Sequence, residues 1–149
     1  MLSYPRPSRI APAIAAVITD SAHRVLLVLR SDCNLWGLPS GRIEPGEMLV
    51  DAVVREVSEE TGLDVHVERL IGVYSDPVSQ VYAYPSGDVV HYVTCCCLCT
   101  VVGGSARPDG VEVLDVEFFD TGKLPSNLLP MHPQWLADAL ASEAAAFVR

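Results

Sequence analysis

The hydrophobic pattern of this chain changes period along its length, and the changes mark where strands give way to helices. Ala13–Thr19 and Arg24–Leu29 are β-prone runs, separated by Asp20-Ser21-Ala22-His23, which has the composition of a hairpin turn. Val65–Tyr74, Gln80–Tyr84, Val89–Val102 and Val111–Phe119 are further strand-like runs, with Pro85-Ser86-Gly87-Asp88 as a turn. Val89–Val102 is longer than most single strands, so a bulge or break is expected within it. Ser31–Asn34 and Gly103–Gly110 read as loops, and Ser40-Gly41 and Pro45-Gly46 carry turn chemistry. Residues 1–9, with Pro5 and Pro7, form a polar lead expected to be extended.

From about Met48 to Thr61 the period becomes helical. At about 100° per residue, Val50, Val53, Val54 and Val57 share one arc, the expected core face. Glu56 and Glu60 lie side by side at its edge, with Glu59 farther round. Gly62 suits a left-handed C-terminal cap, and Leu63 restarts the chain as strand. Pro133 to about Val148 reads as a closing helix with Pro133 in its first turn and Trp135, Leu136 and Leu140 facing inward. Many strands with two helices predict an α/β fold. No internal repeat or low-complexity linker interrupts the pattern, and half of the 149 residues are hydrophobic, so a single domain over residues 1–149 is expected.

Charge narrows the function classes. The net charge of −9 argues against a nucleic-acid duplex as partner, because its phosphates would be repelled. Much of that charge is local: Glu44, Glu47, Asp51, Glu56, Glu59 and Glu60 stand against only Arg42 and Arg55 between Gly41 and Leu63. Three carboxylates on one helical stripe repel each other unless a cation sits between them. A hard divalent ion such as Mg²⁺ meets that need, taking oxygen ligands and bridging carboxylates to substrate phosphates. A solvated acidic helix face is the alternative reading of such a triplet.

The residues that carry this chemistry resemble those of a known family. Gly41, then Glu47, then Arg55-Glu56-Val57-Ser58-Glu59-Glu60-Thr61-Gly62-Leu63 satisfies the whole signature of the Nudix hydrolases, a match expected by chance at roughly one in 10⁷ or rarer. The signature covers 23 of 149 residues. Softer similarity, in Trp36-Gly37-Leu38-Pro39 and from Phe118-Phe119 to Leu124-Pro125, extends the resemblance over most of the chain. Ser40 departs from the pattern, standing where many members carry a further glycine.

The resemblance implies an α/β/α sandwich with a mixed β-sheet, in which the signature helix bears metal-binding glutamates. It implies Mg²⁺ or Mn²⁺ bound by Glu56, Glu59 and Glu60, with Glu56 and Glu60 the better candidates for direct ligands and Glu59 able to position water. Arg55 is assigned an orienting role toward Glu59 or Glu47. Gly41, Gly46 and Gly62 are read as supplying backbone freedom. Many members use an acid outside the signature as general base; Glu112 is the candidate here, with Asp115 and Glu117 as rivals. Arg30 and Arg42, and the N-terminal Arg6 and Arg9, are candidates for phosphate contact, and Tyr74, Tyr82 and Tyr84 for stacking on a base. His91 reads as structural.

The implied reaction is hydrolysis of a diphosphate linkage in a small-molecule nucleotide derivative, either a nucleoside diphosphate joined to a group X or a nucleoside triphosphate. Two rivals are a Nudix module that binds a nucleotide metabolite without cleaving it and an isoprenoid-diphosphate isomerase. The intact glutamates argue against the first, and the absence of a further cysteine-and-glutamate arrangement against the second. A homodimer is a common assembly among such relatives.

Remaining features call for no second chemistry. Cys95, Cys96, Cys97 and Cys99 lack paired zinc-ligand spacing and read as small hydrophobes of a buried strand, Cys96 facing opposite to the others. No stretch reaches the ~18 apolar residues that span a bilayer. Ile10–Ile18 imitates a secretion signal only faintly, so no membrane partner and a cytoplasmic location are expected.

Overall fold

The computed structural model describes residues 4–149, so the start of the polar lead lies outside the described residues. In chain order the elements are β1 (Arg9–Ile18), β2 (Arg24–Arg30), β3 (Trp36–Gly37), β4 (Ser40–Arg42), α1 (Leu49–Thr61), β5 (Leu63–Tyr74), α2 (Pro77–Gln80), β6 (Val81–Ala83), β7 (Val89–Gly104), β8 (Val113–Asp120), α3 (Trp135–Leu140) and β9 (Phe147–Val148). They form a six-stranded mixed sheet, ordered β4-β1-β7-β5-β9 with β6 on β7, and a three-stranded sheet ordered β3-β2-β8.

Period-two patterning gives the central strands two buried faces. Ile14, Ala16 and Ile18 of β1 join Cys97 and Cys99 of β7 against Ala52, Val53 and Val57 of α1. Ala15 and Val17 join Cys96 and Ile71 against Trp36, Trp135 and Ala139 on the opposite side. The result is the expected layered α/β architecture, with α1 and α3 on either side of the sheets. Cys96 and its neighbours divide between the two faces as predicted, and the five cysteines are free thiols. Burial pushes the Cys96, Cys97 and Cys99 thiols up, which makes them inert packing groups. Among the described residues, no helix is long and apolar enough to cross a membrane.

Four expectations are revised. The turn after β1 forms, with Asp20 accepting from the Ala22 and Arg24 amides, but beyond the Thr19–Val25 bridge the two strands enter different sheets. β7 runs unbroken for 16 residues, and the expected irregularity falls in its pairing with β5. Val102 bulges on β7, while Glu68 and Ile71 bulge on β5. Gln80 is not a strand residue; it ends α2, whose first amides are capped by the Asp76 side chain.

The fourth revision is the closing helix. α3 spans only Trp135–Leu140, and Leu140 is exposed rather than inward. Two tertiary contacts override the alanine-rich sequence that follows. Arg69 donates from Nη2 to the Ala139 and Ala141 carbonyls, terminating the helix, and Phe147–Val148 pairs in parallel with Gly72–Val73 as β9. Buried Asp138 ties these pieces together, accepting from the Tyr74 hydroxyl at 2.8 Å and from Arg149 Nε and Nη2 at 3.1 and 2.8 Å.

Hydrogen bonds from Arg149 hold the Asp138 carboxyl below its usual range. A depressed carboxylate contributes stability that is present above the unfolded value of about 3.9 and is lost as pH falls through the folded value. Asp138→Asn should therefore lower unfolding free energy at pH 7 by about 1–3 kcal/mol. That deficit should shrink as the medium is acidified below about pH 4. Equal denaturation midpoints for the two proteins at pH 7 would contradict this role for Asp138.

Candidate active site

The helix α1 is rotated relative to the arc expected from its valines. Val53 and Val57 are fully buried, each worth roughly 1.5–3 kcal/mol, but Val50 and Val54 are 44% and 36% exposed. Ala52 takes up the buried flank instead, and Glu56 and Glu60 share that flank. The rotation carries two carboxylates toward the protein interior. Glu60 is only 5% exposed.

Two features of β4 receive them. The Ser40 amide donates to Glu60 Oε2 at 3.0 Å. Gly41 faces Glu56 so closely that a Cβ there would lie 2.1 Å from the carboxyl group. Gly41 thus serves close approach rather than backbone freedom, whereas Gly46 and Gly62 do adopt left-handed φ of 84° and 69°. Gly62 caps α1 through its amide to the Ser58 carbonyl, and the Arg107 amide binds the Thr61 carbonyl, fixing the helix end.

Arg55 joins the loop before α1 to the glutamates. Its Nε and Nη2 pair bidentately with Glu47 at 2.7 and 3.0 Å, and Nη2 also donates to the Arg42 carbonyl. Its Nη1 reaches Glu56 at 2.8 Å and Glu59 at 3.4 Å. Arg55 holds the Glu47 carboxyl down to about 2, aided by the Glu44 amide. The glutamates on the buried flank behave oppositely. Burial raises Glu56 against the pull of Arg55. Burial, reinforced by the charge of Glu56, raises Glu60 to about 8 against the Ser40 amide and Arg30.

A cleft of about 830 Å³ opens at these groups. Its lining combines Glu56, Glu60, Glu112, Arg30 and Arg42 with Tyr74, Tyr82, Tyr84 and Trp135. Glu112 is exposed, and its negative charge acts on both Glu56 and Glu60. Asp109 Oδ1 fixes its loop by accepting from the amides of Val111, Glu112 and Val113. Asp115 and Glu117 lie on β8, outside the cleft lining. Arg30 is held by Asp32 through Nε at 3.1 Å and Nη2 at 2.8 Å. Arg6 and Arg9 are exposed and do not line the cleft.

The structure therefore brings Glu56, Glu60, Glu112, Arg30 and Arg42 together and turns Glu59 outward, 59% exposed and outside the cleft lining. Sequence reasoning missed Asp32, Gln80, Tyr92 and Trp135 as cleft residues. Alternation along β7 offered a signal for Tyr92 alone. His132 lines the cleft with its ring centroid 5.5 Å from that of Tyr74, and His91 is structural, bonded through Nε2 to the Ser75 carbonyl.

Among the described residues no three His, Cys, Asp or Glu side chains are arranged as a ready metal cluster. Buried Glu60 and partly buried Glu56 nonetheless fit a divalent cation. Two adjacent carboxylates made costly by burial are stabilised by a cation's charge, and Glu56 lies in the hollow left by Gly41.

Comparison with known proteins gives the same architecture. The NUDIX domain family matches residues 9–141. A Bacillus subtilis protein provisionally named 8-oxo-dGTP diphosphatase is 34% identical over 122 residues, which span 82% of this chain and 74% of that protein. An ADP-ribose pyrophosphatase of Methanocaldococcus jannaschii is 38% identical over 118 residues, 76% of this chain and 65% of that protein, just under two thirds of its length. The crystal structure of an ADP-ribose pyrophosphatase from Streptococcus suis superposes with a TM-score of 0.72 at 27% identity, covering 93% of this chain and 97% of that one. This chain belongs to the Nudix family and is a Nudix pyrophosphohydrolase.

Gly41→Ala tests the hollow directly. The added methyl displaces the Glu56 carboxylate, and misplacement by about 1 Å costs on the order of 10²-fold in rate. Turnover should fall by about that factor while the melting temperature moves by only a few degrees. Wild-type turnover in Gly41→Ala would contradict the close-approach role.

Proposed function

We propose that this enzyme hydrolyses a diphosphate linkage in a nucleoside diphosphate joined to a group X, or in a nucleoside triphosphate, with Mg²⁺ or Mn²⁺ as its cofactor. The observation that carries the reading is the pairing of buried Glu60 with partly buried Glu56, faced by Glu112 in a cleft that also presents Arg30 and Arg42. Glu56 and Glu60 would hold the divalent cation, which when bound neutralises diphosphate oxygens and the charge that grows on them during attack at phosphorus. Glu59, turned outward and outside the cleft lining, would add a ligand or position water only by swinging its side chain in from solvent.

The remaining roles fall to the neighbouring arginines and Glu112. Arg55 fixes Glu56 and Glu47 in one geometry, as a positioning residue with three carboxylate partners. Arg30 and Arg42 bind non-bridging phosphate oxygens, and Asp32 keeps the Arg30 guanidinium in place. Glu112 accepts the proton of the attacking water; the new oxygen–phosphorus bond forms as the bridging bond breaks, and the leaving phosphate departs with the bridging oxygen. A relative that acts on ADP-ribose and one provisionally named for 8-oxo-dGTP put both types of linkage into the substrate panel.

Product analysis with nucleoside triphosphates, ADP-ribose, dinucleoside polyphosphates and nucleotide sugars tests this reading. One class should be cleaved to a nucleoside monophosphate in the presence of Mg²⁺ or Mn²⁺. Glu60→Gln should lose more than the ~10–100-fold that loss of an outer-shell partner costs, with its circular dichroism unchanged. Glu112→Gln should lose about 10²–10⁴-fold in kcat. Wild-type rates in Glu60→Gln would overturn the cation assignment, and in Glu112→Gln the assignment of the base.

A further inference from the structure

The cleft also carries aromatic and amide groups that diphosphate chemistry does not use. Strand register lays out its floor. Arg42 on β4, Ala13 on β1, Thr94 on β7 and Tyr74 on β5 are successive partners, so they form one row on one face of the sheet. At about 4.8 Å per strand the row measures ~14 Å from Arg42 to Tyr74. The next row, Ser40, Ala15, Cys96 and Gly72, has only small side chains. The floor therefore runs from Arg42 to Tyr74 beside a row of small side chains.

The wall above it is tyrosine. Tyr82 and Tyr84, two apart at the β6 arm, have ring centroids 4.8 Å apart at 64°, and Tyr84 shares a hydroxyl–hydroxyl hydrogen bond with Tyr92 of β7. All three line the cleft, are only partly buried and belong to neither hydrophobic cluster of the core. Tyr82 and Tyr84 pack edge to face on one another rather than in either core cluster, and the ring surface left over lines the cleft. Gln80 stands at the foot of this wall, at the end of α2. The Thr94 hydroxyl donates to Gln80 Oε1 at 2.7 Å, while Nε2 has only a 3.4 Å contact to Ser79 Oγ. One end of the amide is fixed and the other is available to a ligand.

We propose that Tyr82, Tyr84 and Tyr92 form the specificity wall of this enzyme, stacking a flat heteroaromatic base, and that the Thr94-fixed Gln80 amide reads the base edge. This rests on the diphosphate reading of the glutamate end, because the base must be joined to that diphosphate. Every base offers a π-face, so the tyrosines supply affinity common to all of them. An amide distinguishes donor from acceptor edges, so Gln80 supplies the ranking. The group X then lies away from this wall, which separates the two ends of the substrate.

Binding, read without turnover, tests the assignment. Calorimetry with Mg²⁺ present would compare AMP, GMP, CMP, UMP and the baseless ribose 5-phosphate on the wild type and on Tyr82→Leu, Tyr84→Leu and Gln80→Leu, each checked by thermal melting. Leucine keeps apolar bulk and removes the ring, and the two tyrosine variants carry the test independently. The wild type should bind at least one nucleotide more tightly than ribose 5-phosphate. The tyrosine variants should lose that advantage by about fivefold to a hundredfold with ribose 5-phosphate unchanged. Gln80→Leu should compress the ranking among the four nucleotides. Equal binding of nucleotide and baseless probe by the wild type, or an undiminished advantage in both tyrosine variants, would overturn the proposal. A silent substrate panel with base preference intact would sink the hydrolase reading and leave the wall standing.

Discussion

The burial of Glu60 beside Glu56 is the constraint around which the rest of the site is arranged. A carboxylate at 5% exposure next to a second carboxylate is unfavourable in its charged form, and the fold tolerates it through specific neighbours. The Ser40 amide gives one hydrogen bond, Arg30 contributes charge across the cleft, and Gly41 makes room for Glu56. None of these offsets the full cost, as the elevation of Glu60 to about 8 records. A strained acidic pair is poor for stability but well suited to capturing a hard cation, and this ties the packing of α1 to the chemistry of the cleft.

Arg55 makes that arrangement rigid. By reaching Glu47, Glu56, Glu59 and the Arg42 carbonyl it joins the loop before the helix, the helix itself and the edge strand β4. The same charge would be worth little in an exposed single pair. Its value lies in fixing where the Glu56 oxygens sit. On the far side of the sheet, Asp138 plays a comparable part for the fold, holding Tyr74, α3 and the β9 end together.

Much of the architecture was legible because it depends on local pattern. Strand runs of period two, the turn at Asp20–His23, the left-handed cap at Gly62 and the spacing from Gly41 to Leu63 all report short-range geometry. What escaped was set by distant contacts. The valine arc suggested that Val50 and Val54 face the core, but the sheet accepts the flank that carries Ala52, Glu56 and Glu60. The alanine-rich stretch after Leu140 favours helix locally, yet Arg69 and the pairing of β9 with β5 stop it. Likewise, nothing near Gln80 in sequence marks it as a cleft residue; its partner, Thr94, shows it only once the chain is folded.

The fold gives up stability at a buried glutamate and would recover it from a divalent cation. Unfolding free energies of the wild type and Glu60→Gln, each in chelator and in Mg²⁺, test it most directly. The glutamine can still accept from Ser40 while carrying no charge, so in chelator the variant should be at least as stable as the wild type. Mg²⁺ should then stabilise the wild type and leave the variant nearly unchanged. A variant that is less stable in chelator, with Mg²⁺ stabilising both proteins equally, would contradict the account.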